Sequence, residues 1–192
     1  MTSIYYSIKA AKNEGEEISP GFRVKLYLDA KDQALLDWKA CLLELRDNQP
    51  GFRIRNALVS RLREWSNRKH GWITYHMTQF LTGHGCFNKF LYRINKVESA
   101  LCAHCLVEVD TAQHTFQFCS AWYSERCGLV RVIRDELDLP SVILAILDSI
   151  INWKAFSTFC TKVLSRKKAA ERERQAVDRS QVVGYLDSET SD

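Results

Sequence analysis

Cys102, Cys105, His114 and Cys119 are the residues of this chain whose types and spacing can do chemistry. Their pattern, C-x2-C-x8-H-x4-C, collects three thiols and one imidazole within 18 residues. Thiolate and imidazole are the donors of a closed tetrahedral zinc site. The two-residue gap lets one tight turn present Cys102 and Cys105 to the same ion. The four-residue gap puts His114 and Cys119 about one helical turn apart, where i and i+4 or i+5 converge from one side. A site closed by four protein ligands leaves no coordination position for water, so the expected Zn²⁺ holds a fold and activates no nucleophile. The alternative is a set of small buried hydrophobes with a satisfied core histidine. The crowding of all four into one short stretch favours the metal.

Three other features invite a chemical reading. Gly83-His84-Gly85 could let the backbone approach a phosphate, but one such run lacks the repeated N–H array of a phosphate loop. A helix-to-helix turn with positive-φ glycines is the stronger expectation. Cys86 could act as a nucleophile with His84 or His70 as base, yet no third residue is placed to orient such a pair. His104, between the first two cysteines, is expected to turn outward.

Charge is distributed unevenly around the Cys/His cluster. Between 51 and 100 stand Arg53, Arg55, Arg61, Arg63, Arg68, Lys69, Lys89, Arg93 and Lys96 against Glu64 and Glu98, a net of +7. From 101 to 150 three arginines meet seven acids, a net of −4. A basic tract beside a metal knuckle, with Trp65, Trp72, Tyr75 and Tyr92 interleaved, has the composition of a surface that meets phosphate and unpaired bases. The same nine residues could instead form an ordinary solvated helix face, some of them paired with acids such as Glu44 or Asp135.

The elements that must position these groups read as mainly α. Leu35, Trp38, Leu42 and Leu45 form one helical stripe ending before Pro50, and Ile54, Leu58, Leu62 and Trp65 form another. A helix over Thr74 to Thr82 stops at Gly83, and Phe87, Phe90, Leu91 and Ile94 make the next apolar face. Trp122, Leu129, Val130, Ile133 and Leu137 line a further helix, with Trp122 as a core anchor. Pro140 opens another, with Ile143, Ile146, Leu147, Ile150 and Trp153 inward. Only Leu26 to Leu28 and the surroundings of Cys119 suit short extended pieces. Ser165 to Arg179 reads as a solvated charged helix, and Ser180 to Asp192 as a disordered end.

The expected fold is therefore a small helical domain with an embedded CCHC zinc knuckle. It divides into a poorly determined segment at 1–30, a basic helical region at 31–100, the knuckle at 101–127, packing helices at 128–164, and a charged helix and tail at 165–192. At 192 residues and 46% hydrophobic content such a chain buries a real core. Seven cysteines and no leader-like start favour a reducing intracellular compartment, nucleus or cytoplasm. No apolar run reaches membrane-spanning length, so no membrane partner is expected.

Several motifs together carry a resemblance. They are Lys69-His70-Gly71, the run Thr78-Gln79-Phe80-Leu81-Thr82-Gly83-His84-Gly85-Cys86-Phe87, then Phe90-Leu91-Tyr92-Arg93-Ile94. The cysteine and histidine spacing, Asp110-Thr111 with His114-Thr115, and Trp122 with Arg126 complete the set. The segment from Trp65 to Arg126, about a third of the chain, resembles the C-terminal region of reverse transcriptases from non-long-terminal-repeat retrotransposons, the insect ribosomal-DNA-inserting and related clades especially. The resemblance implies a knuckle that handles element RNA or target DNA. It does not extend to catalysis: Tyr27-Leu28-Asp29 is followed by Ala30, and no Asp-Asp pair occurs in the chain. Without paired carboxylates for two Mg²⁺ ions, the expectation is a non-catalytic remnant that binds RNA or DNA mainly through phosphates. The rival expectation is a zinc-stabilised protein-interaction module, with residues 165–179 docking a partner.

Overall fold

The computed structural model describes residues 19–44, 46, 51–133 and 136–189, with side chains as far as Val177. The first 18 residues, Leu45, Pro50 and Asp135 lie outside the described residues. Eight α-helices occur among them: α1 (Pro20–Glu44), α2 (Phe52–Leu58), α3 (Leu62–Asn67), α4 (Tyr75–Thr82), α5 (Asn88–Arg93), α6 (Tyr123–Ile133), α7 (Leu139–Asp148) and α8 (Ile150–Glu189). A single antiparallel bridge, Leu101 to Val109, is the nearest approach to a strand among the described residues. The fold is mainly α, as the periodicities require.

Helix α8 is the spine, with α4, α6 and α7 packed along it and α2 resting on α4 and α7. The reason lies in its sequence. Trp153, Phe156, Cys160, Val163 and Lys167 recur at alternating steps of three and four residues, which keeps one face turned inward. All five are buried. The centre is aromatic: the Phe80 ring of α4 lies 5.6 Å from Phe87, 5.5 Å from Phe116 and 5.5 Å from Phe159. Tilted ring pairs at such distances add roughly 0.5–1.5 kcal/mol each beyond their buried area.

Local chemistry sets the helix ends. The Thr74 hydroxyl caps α4 by accepting from Met77 N–H at 3.2 Å, and Gly83 ends it with φ of 73°. The Asp138 carboxylate caps α7 by accepting from Ser141 N–H at 3.1 Å, with Pro140 in the first turn where no N–H is needed. Gly71 is held at φ of 75°, and a Cβ there would sit 2.2 Å from the Trp153 ring. That absent side chain lets the 68–72 turn press on α8, where Trp153 Nε1 donates to Trp72 O at 3.2 Å.

Several expectations change. Leu26 to Leu28, which suits a short extended piece, lies inside α1, because no strand among the described residues pairs with it and the flanking Lys and Ala residues favour helix. The stripe from Ile54 to Trp65 is broken by a 3-10 turn at Val59–Arg61. The expected helix from Pro140 to Trp153 is two helices, because Ser149 is extended. The charged segment after Ser165 is not solvated all round: Lys167 is buried at 1% exposure. The helix also continues to Glu189 through the part whose composition suggested disorder. Helix α1 buries none of its residues.

Candidate metal centre

The knuckle is built from two turns. In the first, Cys102 N–H donates to Glu108 O at 2.8 Å and Leu106 N–H to Cys102 O at 2.9 Å. Leu106 takes φ of 58°, closing a tight loop that puts Cys102 and Cys105 on one side. In the second, His114–Phe118 forms a π-turn in which Cys119 N–H donates to His114 O at 2.8 Å. An i to i+5 bond of this kind is a rare helical defect that recurs at functional sites. Here it brings the fifth residue after His114 round to face the first pair.

The four donor atoms converge. Cys102 Sγ lies 3.8 Å from Cys119 Sγ, and Cys105 Sγ lies 3.3 Å from His114 Nε2. All four lie within 4.8 Å of one another, so the cluster can hold a metal ion. Cys102 and Cys119 are fully buried and His114 nearly so. The ring orientation of His114 is fixed from behind, where Nδ1 sits 3.0 Å from Glu108 Oε2. A carboxylate on the far nitrogen of a ligating histidine is the usual device for fixing tautomer and raising donor strength.

The thiols are electrostatically unequal. Burial acts to raise Cys105, but N–H groups of Val107 and Glu108, with contacts from His114 and Cys102, outweigh it and leave its pKa at about 6. Burial pushes Cys119 up to about 12, helped by the neighbouring thiols. A metal ion entering at neutral pH therefore displaces a proton from Cys119.

A buried polar hub ties the knuckle to the spine. The Asp110 carboxylate accepts from Lys167 Nζ at 2.7 and 2.8 Å, from Asn88 N–H at 2.9 Å and from Thr115 Oγ1 at 3.1 Å. Both charged residues are almost wholly inaccessible. One carboxylate thus joins α5, the knuckle and α8.

The other sequence candidates fare differently. Gly83-His84-Gly85 is the expected turn, with φ of 73° and 110° at its glycines, and the His84 ring stacks on Phe90 at 4.7 Å. Cys86 is buried, its thiol pushed up to about 11 by desolvation, and it donates to Leu164 O and not to His84 or His70, so the arrangement is not that of an activated nucleophile. His104, expected to face outward, instead packs edge-on against Trp122 at 4.8 Å. Burial, then the nearby Lys167 charge, lowers its pKa to about 4, so it is a neutral ring at neutral pH. Trp122 is core, as expected.

The nine basic residues do not form one face. Arg53 turns inward and donates to Phe80 O, Leu81 O and Gln113 Oε1, satisfying carbonyls at the end of α4. Burial lowers its pKa to about 10, which still leaves it charged at neutral pH. Arg55 lies over the Phe52 ring at 4.9 Å. Arg61 pairs with Glu64 at 3.1 Å and Arg63 with Asp32 at 2.5 Å, so the acid partners are these and not Glu44. Arg68 lies over the rings of Trp65 and Trp153, at 4.3 and 4.9 Å, and donates to Trp65 O. Lys69, Lys89, Arg93 and Lys96 remain exposed.

Two parts of the site go beyond the sequence reading: Glu108 behind His114, and the pairing of Asp110 with Lys167 across 57 residues. Comparison with protein-family models, curated proteins and solved structures found no match. Among the described residues no helix is long and apolar enough to cross a membrane.

Proposed function

We propose that the cluster binds one structural Zn²⁺ and that the knuckle so formed presents a basic surface to RNA or DNA, contacting mainly phosphates. The donor set supports zinc: three thiolates and one imidazole, largely buried, with a second-layer carboxylate. Two thiolates bound at about 2.3 Å to a tetrahedral ion lie about 3.8 Å apart. That is the separation of Cys102 and Cys119. On this reading the site is closed, and the chain does no polymerase or nuclease chemistry of its own. Descent from the C-terminal knuckle region of a non-long-terminal-repeat reverse transcriptase belongs to the same proposal and rests on the motifs between Trp65 and Arg126.

One observation carries the nucleic-acid half. Lys89, Arg93 and Lys96 follow one another along α5 and its C-terminal turn, exposed and with no acid partner among the described residues. Asn88 and Lys89 N–H groups both donate to Asp110, at its carboxylate and carbonyl, so this row is anchored to the knuckle. Like charges at i and i+4 on a helix repel, and an external anion would relieve them. The test is affinity for a short single-stranded RNA and a duplex DNA over a salt series. Each phosphate neutralised adds about 0.9 to the log–log slope on duplex DNA and about 0.7 on a single strand. Binding that does not respond to salt refutes the reading.

A second reading, a zinc-stabilised interaction module, is favoured by α1. Its Val24, Leu28, Leu36, Trp38 and Leu43 side chains are all exposed. A protein partner on that face would bind with little salt dependence, and the same titration separates the two readings.

A further inference from the structure

Between α2, α5 and the Thr111–Gln113 stretch of the knuckle lies a groove of about 680 Å³, a size common for small-ligand sites. Its walls hold three cations, Arg53, Lys89 and Arg93, and no carboxylate. They also hold the rings of Phe52, Phe90 and Tyr92. Nothing in these walls neutralises the cations: Arg53 donates only to carbonyl and amide oxygens, and Lys89 and Arg93 have no acid partner among the described residues. The Nε donor of Arg53 is buried with no acceptor.

One wall is a ready stack of planar groups. The His84 ring lies 4.7 Å from Phe90 with 29° between planes, and the Arg93 guanidinium lies 5.2 Å from the same Phe90 ring. Gly83, in the left-handed region, carries the chain round so that His84 folds back over α5. The Thr82 hydroxyl accepts from His84 N–H at 3.3 Å and fixes the turn. A pocket offering flat rings and uncompensated cations, with no acid, selects a ligand that is planar at one end and anionic at the other.

We propose that this groove takes one unpaired nucleotide of a single-stranded nucleic acid, its base laid against the aromatic wall and its phosphate against Lys89 and Arg93. This rests on the nucleic-acid reading above and narrows it to single strands. In a duplex both faces of each base are covered by neighbours, so only an unpaired base can offer a face to protein rings. The hub at Asp110 holds the α5 side of the groove against the knuckle side, so the site exists only when the knuckle is folded.

The test uses the zinc-loaded full chain with a labelled 12-nucleotide single-stranded RNA, a duplex DNA of equal length, and adenosine monophosphate as competitor. His84→Ala removes the half-buried stacking ring, and Lys89→Gln removes an exposed cation whose loss should leave the fold intact. Loss of one base stack is expected to weaken single-strand binding about tenfold. Binding to duplex should change less than twofold, and Lys89→Gln should flatten the single-strand salt slope by about 0.7. Equal affinity for strand and duplex, or equal losses on both for His84→Ala, overturns the groove while leaving phosphate binding standing. No binding to either probe overturns both. Displacement of the strand by micromolar adenosine monophosphate overturns the strand assignment and gives the groove to free nucleotides.

Discussion

Lys167→Met should be among the most damaging single changes outside the metal ligands. The ammonium lies 2.7 Å from one oxygen of Asp110 and 2.8 Å from the other, with both residues almost wholly buried. At an effective dielectric of about 20, a pair at this distance attracts by roughly 6 kcal/mol before desolvation is subtracted. Removing one partner strands the other, which costs about 3–5 kcal/mol in comparable buried pairs. For a chain of this size that lowers Tm by about 6–20 °C. The stranded Asp110 keeps two N–H or O–H donors, Asn88 N–H and Thr115 Oγ1, so the lower half of that range is expected. Adding Asp110→Asn to Lys167→Met removes the uncompensated charge and keeps an acceptor for those donors. The double variant should therefore be more stable than Lys167→Met alone. Urea unfolding of metal-loaded protein, run as a double-mutant cycle, measures both. Stability of Lys167→Met within about 1 kcal/mol of the parent, or strictly additive losses, would refute the hub.

Three further outcomes follow from single contacts. Glu108→Gln should weaken metal affinity about 10–100-fold without altering the ligand set, read by competition with a chromophoric chelator. Arg68→Glu should cost about 1–3 kcal/mol, because its guanidinium lies over two tryptophan rings, whereas Arg61→Glu should stay within about 1 kcal/mol as an exposed pair. Thermal melts that rank these two in the opposite order would show that the Arg68 contacts carry no stability. Metal affinity should fall as pH drops from 8 to 6, since Cys119, held at about 12 when metal-free, must lose its proton for the metal to bind. Proton release on metal addition, followed with a pH indicator in weak buffer, checks the sign.

The cluster was legible because its signal is local. Two turns make it, and both are written in gaps of two and four residues. The Gly83 end of α4 and the Pro140 start of α7 are legible for the same reason, whereas the caps Thr74 and Asp138 appear only in the structure. The inward turn of Arg53 is not legible, because helical phase shows which residues share a face but not whether that face looks at solvent or at an orphaned helix end. The same holds for His104: its neighbours in sequence are cluster residues, but its neighbour in space is Trp122, 18 positions on. Lys167 did leave a trace. It continues the three-and-four rhythm of Trp153, Phe156, Cys160 and Val163, and a lysine in that register demands a buried acid. What no periodicity could supply was which acid, because Asp110 lies 57 residues away.

The metal content of the purified chain tests the central claim most directly. Protein prepared under reducing conditions, without affinity-tag metals, should contain one zinc per chain by elemental analysis. Cys105→Ser should lose it and loosen the stretch from Leu101 to Arg126, seen as faster amide exchange there. A zinc content near zero in folded, reduced parent protein would contradict the claim, and with it the knuckle on which the nucleic-acid surface is built.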